Sequence, residues 1–134
     1  MKHLPSIFCN SITHKNQRYE TCGDYLYENL PGYGKAQKFF ISRTIRDYEF
    51  LIFIHELVEW YLTLKRGIKE KDITNFDLTF EKERIDGKWT YEEPGNDKRA
   101  PYRKEHIFAT KIEKIVAREL GVDWDEYDKT INEL

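Results

Sequence analysis

Residues 50–60 read FLIFIHELVEW, and they open with the longest unbroken apolar run of the chain, Phe50 to Ile54. Eight of these eleven residues are apolar, yet His55, Glu56 and Glu59 are set among them. A helix of this composition has to be covered over most of its surface, and charges carried inside must be paired or bound to something. The segment therefore demands a long buried central helix and partners for three ionisable groups. Thr44, with Asp47 three residues on, makes a capping-box-like start near Ile45, and Gly67 supplies a stop after Lys65 or Arg66.

At about 100° per residue, Phe50, Phe53, Ile54, Leu57, Val58, Trp60, Tyr61 and Leu64 fill a wide apolar arc. The opposite arc holds Glu49, His55, Glu56, Glu59, Thr63 and Arg66. His55 and Glu59 stand one turn apart on the same side, so both can reach one ion, with Glu56 beside them.

The 134 residues suffice for a single domain with a real core, and no repeat or linker divides them. Ahead of the central helix, SIFCNSIT, DYLYEN and AQKFFISR are short runs rich in aromatic and branched residues, and LPGYG joins the last two as a hairpin loop. Behind it, TNFDLTFEKERID places Phe76 and Phe80 one turn apart before Gly87, and YRKEHIFATKIEKIVAREL after Pro101 is a helix stopped by Gly121. Asp123 caps a short last helix anchored by Trp124, while GKWTYEEPGNDKRAP reads as a long surface loop. The expected fold is α+β, with a small N-terminal antiparallel sheet or hairpin followed by three to four helices.

A net charge of -2 offers no basic field for phosphate backbones, so nucleic-acid binding is not expected. The apolar run is far shorter than the roughly 20 residues a bilayer requires, and the first residues lack a signal-peptide core, which points to a cytoplasmic protein. Cys9 and Cys22 fit no zinc-ribbon or disulfide pattern and read as reduced thiols. No serine sits in a nucleophile-elbow turn, and neither cysteine has a close histidine in the sequence.

The chemistry is then carried by His-Glu-x-x-Glu on the central helix. In His-Glu-x-x-His hydrolases two histidines hold zinc and the intervening glutamate takes a proton from water; two histidines with one glutamate form an equally good catalytic ligand set. Of the four histidines, His3, His14, His55 and His106, only His106 lies in another strong helix. There, His106 and Glu113 project near the packed side with Ala109, Thr110 and Ala117, away from Lys104, Lys111, Lys114 and Arg118. His55, Glu59 and His106 are the expected metal ligands, Glu113 either binds the ion or orients a histidine, and Glu56 is the expected catalytic base. Zinc is the expected ion, with manganese or magnesium as hard-ligand alternatives.

QRYETCGDY, YEFLIFIHELVEWYLTLKRGI, FDLTFE and EPGNDKRAPYRKEHIFATKIEKIVARELGVDW together resemble a family of small proteins encoded by phages and prophages, over most of the chain. That resemblance implies the host cytoplasm and a host or virion protein as partner. The order of strand pair and HELVE helix also looks like the zincin-type metallopeptidase core, which implies His55 as first ligand, Glu56 as general base and a peptide substrate. Glu59 stands where that pattern has its second histidine.

Two further patterns compete. Asp77 and Glu81, with Glu56 and Glu113, would make a carboxylate site for magnesium or manganese. Glu56, Glu59, Glu83 and Asp86 mimic the two carboxylate pairs of all-α nucleotide pyrophosphohydrolases, against which the strand-rich start argues. The leading expectation is a zinc hydrolase acting on a peptide or amide bond; the opposing one is a non-enzymatic protein-binding module holding a structural ion or a buried polar network.

Overall fold

The structure, a computed structural model, describes residues 3–88 and 93–134. Strands β2 (Gly23–Leu30) and β3 (Gly34–Ser42) form an antiparallel hairpin that places Tyr25 opposite Phe39. Its turn is Pro31-Gly32-Tyr33, and Gly32 and Gly34 take φ of 82° and 69°, which only glycine adopts without strain. Strand β1 (Ser6–Ile12) lies along the other edge of β3 and parallel to it, so the sheet order is β1-β3-β2 and the sheet is mixed rather than wholly antiparallel.

The reason for the parallel strand lies in residues 13–22, which carry the chain over the end of β3 from one edge to the other. Ser42, fully buried there, donates its N–H to Cys22 O at 2.8 Å. The Gln17 amide donates to Phe40 O and to Ser42 Oγ, each at 3.1 Å, and His14 Nδ1 lies 2.8 Å from the same hydroxyl. The crossing thus satisfies backbone and side-chain groups that a buried strand end would leave bare.

The central helix α1 (Arg46–Lys65) packs on the sheet's inner face. Phe39, with no exposed surface, meets Phe53 and Trp60 edge-on at centroid distances of 5.4 and 5.6 Å, the arrangement the aromatic quadrupole favours. The expected Thr44–Asp47 cap does not form: Ile45 is the residue before the helix, and the Thr44 N–H donates to Glu49 Oε2 at 3.2 Å. Gly67 does end the helix, at φ 70°, with the Ile68 N–H closing back on Thr63 O.

Helix α2 (Glu70–Ile85) starts four residues before the expected segment because Ile73 belongs to the buried stripe of Phe76 and Phe80. Helix α3 (Arg103–Leu120) ends at Gly121 and α4 (Trp124–Asn132) is capped by Asp123, whose Oδ1 accepts the Glu126 N–H at 2.9 Å. Of the expected surface loop, residues 89–92 lie outside the described residues. Residues 93–101 fold back onto α3 through a 3-10 turn at Pro94–Asn96. No helix among the described residues is long and apolar enough to cross a membrane.

Candidate metal centre

Helix α3 runs antiparallel to α1: His55 faces Glu113, Glu59 faces His106, and Arg66 pairs with the buried Glu105 at the far end. Close approach is possible because Ala109 and Ala117, both buried, present almost no side chain along the α3 seam. The polar arc of α1 is therefore an interior face. Its buried residues include His55, Glu59 and Thr63, whereas Phe50, Tyr61 and Leu64 of the apolar arc are partly out in solvent.

Three ligand-type atoms meet in this seam. His55 Nε2, Glu59 Oε2 and His106 Nδ1 form a nearly equilateral triangle with edges of 3.1, 3.0 and 3.1 Å. The outer nitrogen of each imidazole is engaged by a further carboxylate. His55 Nδ1 lies 2.8 Å from Glu113 Oε1, and His106 Nε2 lies 3.0 Å from Glu93 Oε2. Glu113 also accepts the Tyr127 hydroxyl at 2.6 Å, and Glu59 Oε1 accepts the Tyr25 hydroxyl at 3.0 Å.

The hydrogen positions follow from this chain of acceptors. A carboxylate can only accept, so each outer imidazole nitrogen must donate, and a neutral ring then has no proton left for its inner nitrogen. Three lone pairs would face one another at about 3 Å inside a buried seam. Positive charge has to enter the triangle, either as protons or as a metal ion.

With protons alone supplying it, the groups shift accordingly. Burial works against a charged His106, but the hydrogen bonds to Glu59 and Glu93 outweigh it and push the imidazole up to about 9. His55 moves the same way: burial opposes its charge, and Glu113 and Glu59 overcome that. Burial by itself would raise Glu59, yet the two imidazoles bring its carboxyl down to about 2.

Glu56, one residue on from His55, has no hydrogen-bond partner among the described residues. Burial, and then the neighbouring Glu59 charge, hold its carboxyl well above the usual range. It lies against the start of β2, where a Cβ on Gly23 would stand 2.7 Å from Glu56 Cγ; glycine is required there to admit the side chain. Gly95 does the same for the other side of the site, since any Cβ on it would overlap the His106 ring.

A cavity of about 340 Å³ opens onto these groups and is lined also by Asp24, Asp77 and Tyr102, the last with its ring edge-on to His106 at a centroid distance of 6.3 Å. Asp77, on α2, accepts the Tyr102 hydroxyl at 2.5 Å and the Tyr19 hydroxyl at 2.8 Å. Asp24 holds Arg18 through two bonds of 2.6 and 3.1 Å.

The structure thus brings His55, Glu59 and His106 to one point and sets Glu56 on the adjoining cavity wall. Glu113 sits on the outer nitrogen of His55, so orienting that ring is the role its position supports. The carboxylate pairs of the pyrophosphohydrolase pattern are not assembled: Glu83 pairs with Arg99 at 2.7 Å, Asp86 is exposed, and neither is among the described residues lining the cavity. Glu81, of the magnesium pattern, is tied to Arg84 at 2.6 Å.

Sequence reasoning missed Glu93, Tyr25 and Tyr127, and it singled out Asp77 only beside Glu81, without its partners Tyr19 and Tyr102. Glu93 lies in a segment whose Gly, Pro and Asn residues predict a surface loop, and the hint to the contrary is the Pro94-Gly95 turn beside it, which lets backbone approach a ring. The tyrosines carry no signal of their own in a chain with so many aromatics.

Comparison of the chain with protein-family models, curated proteins and solved structures finds no match.

Proposed function

We propose that this protein is a zinc-dependent hydrolase, with His55, Glu59 and His106 as ligands and Glu56 as the group that moves the proton. The observation carrying this reading is the convergence of three lone-pair atoms whose imidazoles are each backed by a carboxylate, the outer partner that metal-bound histidines characteristically have. Donors held around one tetrahedral zinc at about 2.0–2.1 Å stand about 3.3 Å apart, close to the edges found here. Two imidazole nitrogens favour zinc over magnesium, which prefers oxygen.

Bound zinc would supply a Lewis acid for polarising water and a carbonyl oxygen. The chain supplies the rest. Glu113 and Glu93 fix both histidine rings, and Tyr25 fixes Glu59 so that one oxygen faces inward. Glu56, without a hydrogen-bond partner among the described residues and facing the cavity, takes a proton from the attacking water and returns it to the leaving amine. A peptide or amide bond as substrate rests on the zincin-like order of hairpin and helix, and so on analogy.

Zinc titration of metal-stripped protein should give one tight equivalent, removed by His55→Ala and by His106→Ala. Glu56→Gln should keep zinc and fold while losing hydrolysis of a fluorogenic peptide library by about 100-fold or more. Absence of stoichiometric zinc binding would sink the metal reading.

One observation favours the non-catalytic alternative: protons on the two imidazoles satisfy the same triangle, as their upward shifts reflect. On that reading the seam is a buried ionic network in a protein-binding module. Glu56→Gln would then leave every measured property except stability unchanged.

A further inference from the structure

Beyond the triad the cavity is lined largely by carboxylates. Among the described residues, ten carboxylates line the cavity with two arginines and three histidines, and both arginines are already engaged, Arg18 by Asp24 and Arg84 by Glu81. A divalent ion at the triad would leave most of that negative charge uncompensated.

Asp77 is the group this affects most. Only 7% of it is exposed, and its two oxygens accept from neutral phenols, Tyr102 and Tyr19. No lysine, arginine or histidine among the described residues lies within ion-pair distance of it, whereas nearby Asp24 has Arg18. A buried carboxylate held only by hydroxyls costs free energy that a cation would recover. Burial accordingly raises the Asp77 carboxyl to about 6, although both hydroxyls oppose the shift. The tyrosines around it, with Phe80 and Ile73 in the same lining, provide the apolar and π surfaces that an alkyl chain ending in a cation prefers.

We infer that Asp77, framed by Tyr19 and Tyr102, binds a primary ammonium or guanidinium group of the substrate, so that the cavity takes lysine-like or arginine-like substrates and excludes phosphates. This rests on the hydrolase reading for the word substrate, but the cation site itself stands on Asp77 and the cavity charge. Asp77 is here a binding residue, separate from the proton-moving Glu56.

The test uses the full chain, zinc-loaded and zinc-free, titrated by calorimetry with butylammonium, butylguanidinium, butanol and butyl phosphate. Both cations should bind about tenfold or more tightly than butanol, and Asp77→Asn should remove that preference while zinc stoichiometry is kept. On wild-type protein, the ring resonances of Tyr19 and Tyr102 should shift with butylammonium and not with butanol, a readout that holds if Asp77→Asn fails to fold. Equal binding of cation and alcohol, tighter binding of butyl phosphate, or cation binding that leaves both tyrosines unmoved overturns the inference. Cation binding without zinc binding would retain the Asp77 site and discard the metal reading; zinc binding without cation preference would do the reverse.

Discussion

Helix α1 has two interiors. Toward the sheet it sets Ile52 against the start of β2 and Phe53 and Trp60 against Phe39, a surface of rings and aliphatic chains with nothing to satisfy but van der Waals contact. Toward α3 it buries His55, Glu59 and Thr63 against His106 and Glu113, so that four ionisable groups meet in one seam. The first face stabilises the fold by removing apolar area from water. The second must overcome desolvation of several charged groups before it contributes anything, and a buried ion network is commonly no more stabilising than an apolar seam of the same volume.

The largest expected effect lies on the apolar face. Phe39→Ala removes the ring shared by Tyr25, Phe53 and Trp60, and should cost about 3–5 kcal/mol in urea denaturation. The loss should be the same with and without zinc. If it differs, the two faces of α1 are coupled and their separation is wrong.

The polar face should respond to metal instead. At free zinc 100- to 1,000-fold above Kd, the wild-type protein should gain about 3–4 kcal/mol of stability, measured as the shift of its denaturation midpoint. Phe39→Ala should retain that gain and His106→Ala should lose it. A His106→Ala protein that zinc still stabilises would place the ion elsewhere.

These two faces were unequally legible in the sequence. The helix period, Gly67, Gly121 and the Asp123 cap are local signals, and each lies where its chemistry required. The His55–Glu59 spacing is equally local, and His106 stood out because only one other strong helix carries a histidine. The partners that define the triangle's proton inventory are not local. Glu93 comes from an irregular segment, Tyr127 from a fourth helix and Tyr25 from a strand, and no periodicity links them to α1. The parallel placement of β1 was hidden for the same reason, since it depends on how residues 13–22 are pinned by Ser42. On the wheel, polar residues opposite an apolar arc look solvent-facing; only the small residues of α3 hinted that they turn inward.

Asp77 carries the same contrast into the cavity lining. Its carboxyl ordinarily titrates near 3.8 and is raised to about 6 by burial. Below 3.8 the acid is neutral in both folded and unfolded chains, and its burial adds no electrostatic cost. Between 3.8 and about 6 the unfolded chain gives up its proton while the folded chain keeps it, so stability falls as pH rises. Above 6 the loss is constant, on the order of 3 kcal/mol. Asp77→Asn should flatten this segment of the stability–pH curve, read by urea denaturation from pH 3.5 to 7 in steps of about half a unit. A slope unchanged in the variant would mean that folding does not raise the Asp77 carboxyl.

The smallest stability effect should carry the most information about the seam. Tyr127→Phe deletes one hydroxyl at 2.6 Å from Glu113 and leaves the ring packed edge-on against Tyr48 and Trp124. Its cost in stability should be about 1 kcal/mol, the ordinary worth of one hydrogen bond. The hydroxyl also holds Glu113 in the position that fixes the His55 ring, and loss of an outer partner of that kind typically weakens metal binding about 10- to 100-fold. If α1 and α3 form a metal seam, zinc affinity should therefore fall far more than fold stability does. If the seam is only a network of buried protons, the two measurements should change in proportion, because one hydroxyl would then be worth one hydrogen bond and nothing more.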